Sequence, residues 1–333
     1  MLTHDFKDAR LAAIAAEPVT RYPIAHADLV FRGSCAICGV SAFDEAASVY
    51  IGRLCVHQTV ICKQCTFSWR ALSPTDDWFT RMAELQPPYK RPYSAARFAA
   101  YRKRAEMVAP YVKHNAHILD VGAASYEGVD AFKEAGYLDV CGVEPMGDGT
   151  TIEQLCEERL LDFNLVVMSH VLEHCRDPLA VMRGLKSILK PKGIVYLEVP
   201  HAFQIINWSD AFYFAHKCNF TWESMSTLLK AAGYKVLNER SVKFDDADRR
   251  DMAFILADGD YGPPYVGDNS GIRAMIKDQY TAGLSIRVES PPQYEIPYVD
   301  HFHYGMRFNR WDVHKEGTRI VMTEKAITND CVL

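Results

Sequence analysis

No apolar run in this chain of 333 residues reaches the roughly 20 needed to cross a bilayer as a helix. The stretch Leu11–Ala16 is short, and Asp5 and Asp8 precede it, against the pattern of a secretory signal. Positive charge is not in excess either. Lys and Arg number 37 against 42 Asp and Glu, a net charge of −5, so nothing draws the chain generally to nucleic acid or anionic lipid. Internal repeats and low-complexity tracts are also missing, which removes solenoids and disordered arrays. What remains is a chain 49% hydrophobic, ample for a packed core.

Cysteine is plentiful: ten residues. Four fall in two pairs, Cys35-Ala-Ile-Cys38 and Cys62-Lys-Gln-Cys65, and the others are scattered, several in apolar segments. Each CxxC forms a knuckle that aims two thiolates at one centre, and two knuckles complete a tetrahedral zinc site. A closed four-cysteine site has no position left for substrate, so its role is folding. Cys55 and His57, between the pairs, are alternative ligands. This usage fits a reducing, cytoplasmic setting better than a secreted one.

Four regions separate. Residues 1–85 hold the zinc ribbon, and 86–116 form a Pro-rich linker and a lead-in helix from Ser94. Residues 117–257 alternate strand and helix. Strands are expected at 117–121, 139–143, 165–168, 194–199, 234–243 and 251–257, with helices near 127–135, 151–160, 177–189 and 221–232. That alternation makes an α/β domain with a mostly parallel sheet covered on both faces. Residues 258–333 are rich in Tyr, His, Pro and Gly, with one helical stretch near 271–281.

The first of those strands runs into a glycine turn, Ile118-Leu119-Asp120-Val121-Gly122-Ala123-Ala124-Ser125-Tyr126-Glu127-Gly128. Glu144 stands at the tip of the next strand. A glycine turn brings backbone close to a nucleotide-like ligand, and an acid at the neighbouring tip accepts hydrogen bonds from ribose hydroxyls. His170-Val171-Leu172-Glu173-His174 matches the H-x-x-E-H of inverted zinc peptidases. Its place directly after a strand and before Asp177-Pro178 puts it on a loop at the carboxyl edge of the sheet. Packing of that loop, or a role facing ligand, fits this place better than peptidase chemistry.

In that order, the turn, Cys141-Gly142-Val143-Glu144-Pro145, Ser169–His174 and Leu189-Lys190-Pro191-Lys192-Gly193 resemble class I S-adenosylmethionine-dependent methyltransferases. They are closest to a branch that also carries an N-terminal zinc-binding segment and acts on sugars or small metabolites. The resemblance implies a Rossmann-like, seven-stranded sheet with S-adenosylmethionine across the first strand tips. It places Asp120, Gly122 and Ala124 beside the methionine part, Glu144 on the ribose, and Ser169 and His170 along the cofactor. The chain departs from the family's G-x-G-x-G at Ala124 and Tyr126, and the span from Glu144 to Leu165 is short for a third strand with its own adenine-contacting acid.

Methyl transfer needs alignment and, for many acceptors, a proton acceptor. His216, Tyr213 and His201, after the strand ending at Pro200, are the candidates. The related sugar C-methyltransferases often carry Tyr-x-Glu-His here. This chain has Tyr213-Phe-Ala215-His216, which favours an O- or N-acceptor. Tyr294, Tyr298, His301, His303, Tyr304, Arg307, Arg310 and Trp311 form either a dimer contact or a cover over a small-molecule substrate. Two rivals stand beside this expectation: a non-catalytic protein of the same fold in a larger assembly, and a macromolecule methyltransferase docking through the ribbon. The second requires an exposed basic stripe over residues 50–105.

Overall fold

The computed structural model describes residues 21–51, 54–84, 93–145, 151–158, 162–202, 216–243, 250–260, 284–289, 295–297, 311–316 and 319–324. Tyr213, the predicted helix at 271–281 and the aromatic, histidine and arginine residues from Tyr294 to Arg310 lie outside them.

The N-terminal part consists of β1 (Arg21–Pro23), β2 (Leu29–Phe31), β3 (Phe43–Ile51), β4 (Leu54–Cys62), β5 (Ser68–Pro74) and helix α1 (Asp76–Glu84). Helix α2 (Ala95–Val108) leads into β6 (His117–Val121), α3 (Glu127–Glu134), β7 (Asp139–Val143), α4 (Ile152–Glu158) and β8 (Phe163–Ser169). Then come α5 (Pro178–Leu185), β9 (Leu189–Pro200), β10 (Cys218–Asn219), α6 (Trp222–Ala232), β11 (Tyr234–Lys243) and β12 (Arg250–Asp258). Strands β13 (Leu284–Glu289), β14 (Glu295–Pro297), β15 (Trp311–Glu316) and β16 (Arg319–Glu324) complete the described chain. None of its helices is long and apolar enough to cross a membrane.

The helix boundaries follow local chemistry. Ser94 caps α2 by accepting from the Arg97 amide, and Asp177 caps α5 by accepting from the Ala180 amide, with Pro178 in the first turn. Thr221 caps α6, which ends at Gly233 in the left-handed region, φ 73°.

The central sheet has the order β11-β12-β9-β8-β6-β7. Pairs β6/β7, β6/β8 and β8/β9 are parallel, and β12 is antiparallel to both β9 and β11. Six strands are present among the described residues, not seven. Among the described residues no strand pairs with the outer edge of β7, and the connection after Glu144 contains α4. Side chains alternate between two cores. Ile118, Leu165, Val167, Tyr196 and Ile255 face α2 and α3, while Leu119, Val166, Met168, Leu197 and Phe254 face the other way.

That second core is shared with the ribbon. Cys62, Phe67 and Trp69 belong to the same cluster as Met225 and Leu229 of α6, and the Phe67 and Phe220 rings are 5.6 Å apart. A second sheet runs β10-β5-β4-β3-β13-β16-β15, with β2 also pairing β5. So β13, from the C-terminal region, pairs with the ribbon's β3 and carries β16 on its other side, and β10 links this sheet to the segment just before α6.

Candidate active site

The turn after β6 keeps a glycine-type backbone at all three positions of the family pattern. Gly122, Ala124 and Tyr126 have φ of 71°, 48° and 65°. Two non-glycine residues in the left-handed region cost roughly 1 kcal/mol each, and such strain gathers at ligand sites. The Gly122 and Ala123 amides both donate to the Val143 carbonyl, at 2.9 and 3.0 Å, which folds the turn over the tip of β7. A Cβ on Gly122 would lie 2.6 Å from Val171 Cγ2, so only glycine fits against the loop after β8. Glu144 accepts from the Ala124 amide at 2.8 Å, fixing the predicted ribose acid against the turn. Tyr126, 40% exposed, lays its ring beside Gly142.

Asp120 is placed differently from the expectation that it borders the cofactor. It is fully buried and faces α3: a Cβ on Gly128 would lie 2.1 Å from its Oδ2. Gly128 is therefore the residue that lets α3 close over Asp120. Burial pushes the Asp120 carboxyl up to about 7, with Arg104 opposing. An acid whose folded pKa is raised binds its proton more tightly when folded, so its cost to stability grows as pH rises from about 4 to 7. Asp120→Asn should thus stabilise the fold by ~2–4 kcal/mol at pH 8 and by little at pH 4, read by denaturant unfolding at both. A gain equal at the two pH values would contradict this.

At the tips of β8, β9 and β12 stands a buried ionic cluster. Arg104 from α2 pairs with Glu198 of β9 through two hydrogen bonds, 2.9 and 2.5 Å, and the Tyr196 hydroxyl donates to the same carboxylate. Ser169, buried, ends β8 beside Glu198. His170 turns out of the strand with φ 56°. Its Nδ1 is 3.4 Å from Glu173 Oε1, and its Nε2 is 3.2 Å from Asp251 Oδ2 and 3.6 Å from Glu198 Oε1. Burial alone would lower the imidazole pKa; the carboxylates of Asp251, Glu173 and Glu198 outweigh it and raise it well above the usual value. The residues of H-x-x-E-H lie on a loop with a single 3-10 turn, Leu172–His174, not on a peptidase helix.

Of the expected proton acceptors, His216 sits at this edge. Its Nε2 is 4.0 Å from Glu173 Oε1, and its ring centroid is 4.9 Å from that of His174. The ribbon holds its backbone: Arg70 Nε donates to the His216 carbonyl at 3.0 Å, and the Arg70 amide to the Lys217 carbonyl at 2.9 Å. His201 is bridged to Phe220 beside Trp222, and burial pushes its imidazole down to about 4, which makes it a weak base.

Sequence reasoning missed Glu198, Asp251 and Arg104. The available signal was an acid inside an apolar strand, Ile194-Val-Tyr-Leu-Glu198-Val, and another at the head of Met252–Leu256. Buried acids of that kind are paired or functional.

The four cysteines converge. Cys35 and Cys65 sulfurs are 3.6 Å apart, Cys38 and Cys62 sulfurs 3.5 Å, and all four lie within 4.8 Å of one another. A tetrahedral zinc with bonds near 2.3 Å separates its sulfurs by about 3.8 Å, so the cage fits the ion. The two knuckles match. The Ile37 and Gln64 amides donate to the Cys35 and Cys62 sulfurs, both at 3.4 Å. Gly39 and Thr66 follow in the left-handed region, φ 75° and 60°, returning their amides to the Cys35 and Cys62 carbonyls. Cys55 and His57 are not in the cage.

Residues 93–239 match a family model described as a methyltransferase domain, and the chain carries such a domain there. No curated protein matches the chain. Among solved structures, it is similar to a SAM-dependent methyltransferase from Archaeoglobus fulgidus at 17% identity, covering 48% of this chain and 94% of that one, TM-score 0.36. It is also similar to a Burkholderia thailandensis 1,6-didemethyltoxoflavin-N1-methyltransferase with bound S-adenosylhomocysteine, at 15% identity, 60% and 98% coverage, TM-score 0.35. A third is the magnesium protoporphyrin IX methyltransferase from Synechocystis PCC 6803, at 10% identity, 55% and 95% coverage, TM-score 0.40. At these TM-scores the likenesses carry nothing about substrate.

Proposed function

We propose that this methyltransferase domain transfers the methyl group of S-adenosylmethionine to an oxygen or nitrogen of a small molecule, of the nucleotide-linked sugar, glycan or specialised-metabolite kind. The observation that carries the proposal is the left-handed turn at Gly122, Ala124 and Tyr126 with Glu144 fastened to its middle amide. A turn that holds two strained non-glycine residues and aims an acid along the strand tips is built for a ligand. When bound, S-adenosylmethionine supplies an electrophilic methyl group on a sulfonium. Glu144 accepts the ribose hydroxyls, Gly122 lets the backbone approach, and Ser169 borders the site at the tip of β8. His216 stands on the acceptor side.

The four cysteines hold a structural zinc, and the ribbon around it fixes the His216 backbone through Arg70. The macromolecule rival fares less well, because basic residues of its supposed stripe are engaged with carboxylates. Lys63 pairs with Asp44, Arg81 with Asp28, Arg97 with Glu127, Arg102 with Glu134 and Arg104 with Glu198. Pairing of this kind, buried at Arg104 and exposed at Lys63, Arg81 and Arg102, weakens the positive field that would attract a polyanion.

Two measurements test the proposal together. Calorimetry of the zinc-loaded protein should show S-adenosylmethionine binding, and no heat at millimolar ligand would sink the enzyme assignment. His216→Ala should then abolish turnover, by about 10²-fold or more, while leaving cofactor affinity within a factor of about 3.

A further inference from the structure

We infer that Glu173, His174 and His216 form a seat for one divalent first-row transition cation, separate from the zinc ribbon and placed on the acceptor side of the site. One ligand atom from each residue lies within 4.8 Å of the other two. His216 Nε2 and Glu173 Oε1, 4.0 Å apart, fall inside the ~4.2 Å that two ligands on opposite sides of a cation span at ~2.1 Å bonds.

A second observation points to a ligand there. The Glu173 side chain is 2% exposed; His170 Nδ1 and His216 Nε2 lie 3.4 and 4.0 Å from its Oε1, and neither closes a hydrogen bond of full geometry. A buried carboxylate left so costs several kcal/mol unless a charge meets it.

The seat is also braced as ligand sites are. The Glu173 carbonyl accepts from the Lys217 amide at 2.8 Å, locking the 3-10 turn to the strand that follows His216. Arg70 grips the same strand from the ribbon. His174 and His216 are half-buried. Two imidazoles and one carboxylate suit Mn, Fe, Co or Zn, not Ca or Mg. The other His-and-acid group, His170 with Glu198 and Asp251, already has Arg104 paired to Glu198.

The chemistry of this cation rests on the methyl-transfer proposal; its binding does not. With a cation held by Glu173, His174 and His216, an acceptor hydroxyl bound to it would give its proton to solvent more readily, because the cation would stabilise the oxyanion. That oxygen forms the new C–O bond, the sulfonium C–S bond breaks, and sulfur keeps the electron pair as a thioether. His216 then serves the acceptor as a metal ligand, and the substrate class narrows to hydroxyl-bearing molecules.

The test uses the full chain carrying one equivalent of zinc, which the four thiolates hold, and Mn²⁺ alone, which does not displace zinc from them. Electron paramagnetic resonance of free Mn²⁺ should count one ion bound per chain at sub-millimolar metal, without S-adenosylmethionine. Glu173→Gln and His216→Ala should each weaken that binding at least about tenfold, with melting temperatures checked to show that both variants fold. Co²⁺ should bind the wild type with weak d–d absorption and no thiolate charge-transfer band. His174→Ala replaces either variant that fails to fold. No Mn²⁺ or Co²⁺ uptake by the folded wild type at millimolar metal, or uptake that the variants leave unchanged, overturns the site. S-adenosylmethionine calorimetry on the same sample separates the two failures: metal uptake without cofactor heat sinks the methyl-transfer proposal and leaves the metal seat standing.

Discussion

Glu144→Ala lowers S-adenosylmethionine affinity by about 30- to 1000-fold, with little change in melting temperature. The estimate comes from two hydrogen bonds to a charged acceptor, together worth ~2–4 kcal/mol. Part of the loss is indirect. Glu144 also holds the Ala124 amide, so its removal frees a turn that keeps two residues in the left-handed region. Glu144→Gln separates the contributions. It retains a carbonyl for the Ala124 amide but gives up the charge, and its loss should fall between wild type and Glu144→Ala. Calorimetric titration of the three proteins checks the order. A wild-type affinity in Glu144→Ala would remove Glu144 from the site.

The second large effect concerns zinc. Stripping the metal, or Cys62→Ser, should unfold the ribbon and lower the melting temperature of the whole chain, and S-adenosylmethionine binding should fall with it. Structural zinc contributes ~10–16 kcal/mol of apparent binding energy, as much as the entire stability of an ordinary domain. The loss spreads because the ribbon is not a separate bead. Cys62, Cys65, Phe67 and Trp69 line the same core as Val166, Met168 and Leu229. The Thr66 hydroxyl meets that of Thr221, the cap of α6, at 2.8 Å, and β5 pairs with β10. Differential scanning calorimetry with and without chelator reads the effect. An unchanged transition in metal-free protein would show that the cysteines hold nothing structural.

The reach of the sequence differed from element to element for physical reasons. Strands β6 and β7 were read to the residue, because short apolar runs bounded by a turn have few alternatives. The shortness of the span after Glu144 was legible in the sequence, and α4 occupies part of it. The left-handed Ala124 and Tyr126 were not: residue type argues against that conformation, and the Glu144 contact and the fold over β7 impose it. The pairing of β13 with β3 was equally hidden, since register between distant segments depends on the assembled core and not on local pattern. In the site, the cysteine cage was plain from its spacing. The Glu198, Asp251 and Arg104 cluster was missed because its members are far apart in sequence and converge only when β8, β9 and β12 lie side by side with α2 packed across them.

The central claim is that the turn after β6 and Glu144 form an S-adenosylmethionine site. A crystal structure of the zinc-loaded protein soaked with S-adenosylhomocysteine tests it most directly. The ribose hydroxyls should lie within hydrogen-bond distance of Glu144, the amino-acid end against the Gly122 turn, and the sulfur should face the His216 side. Ligand bound elsewhere, or no ligand at millimolar concentration in crystals with an open site, would contradict it.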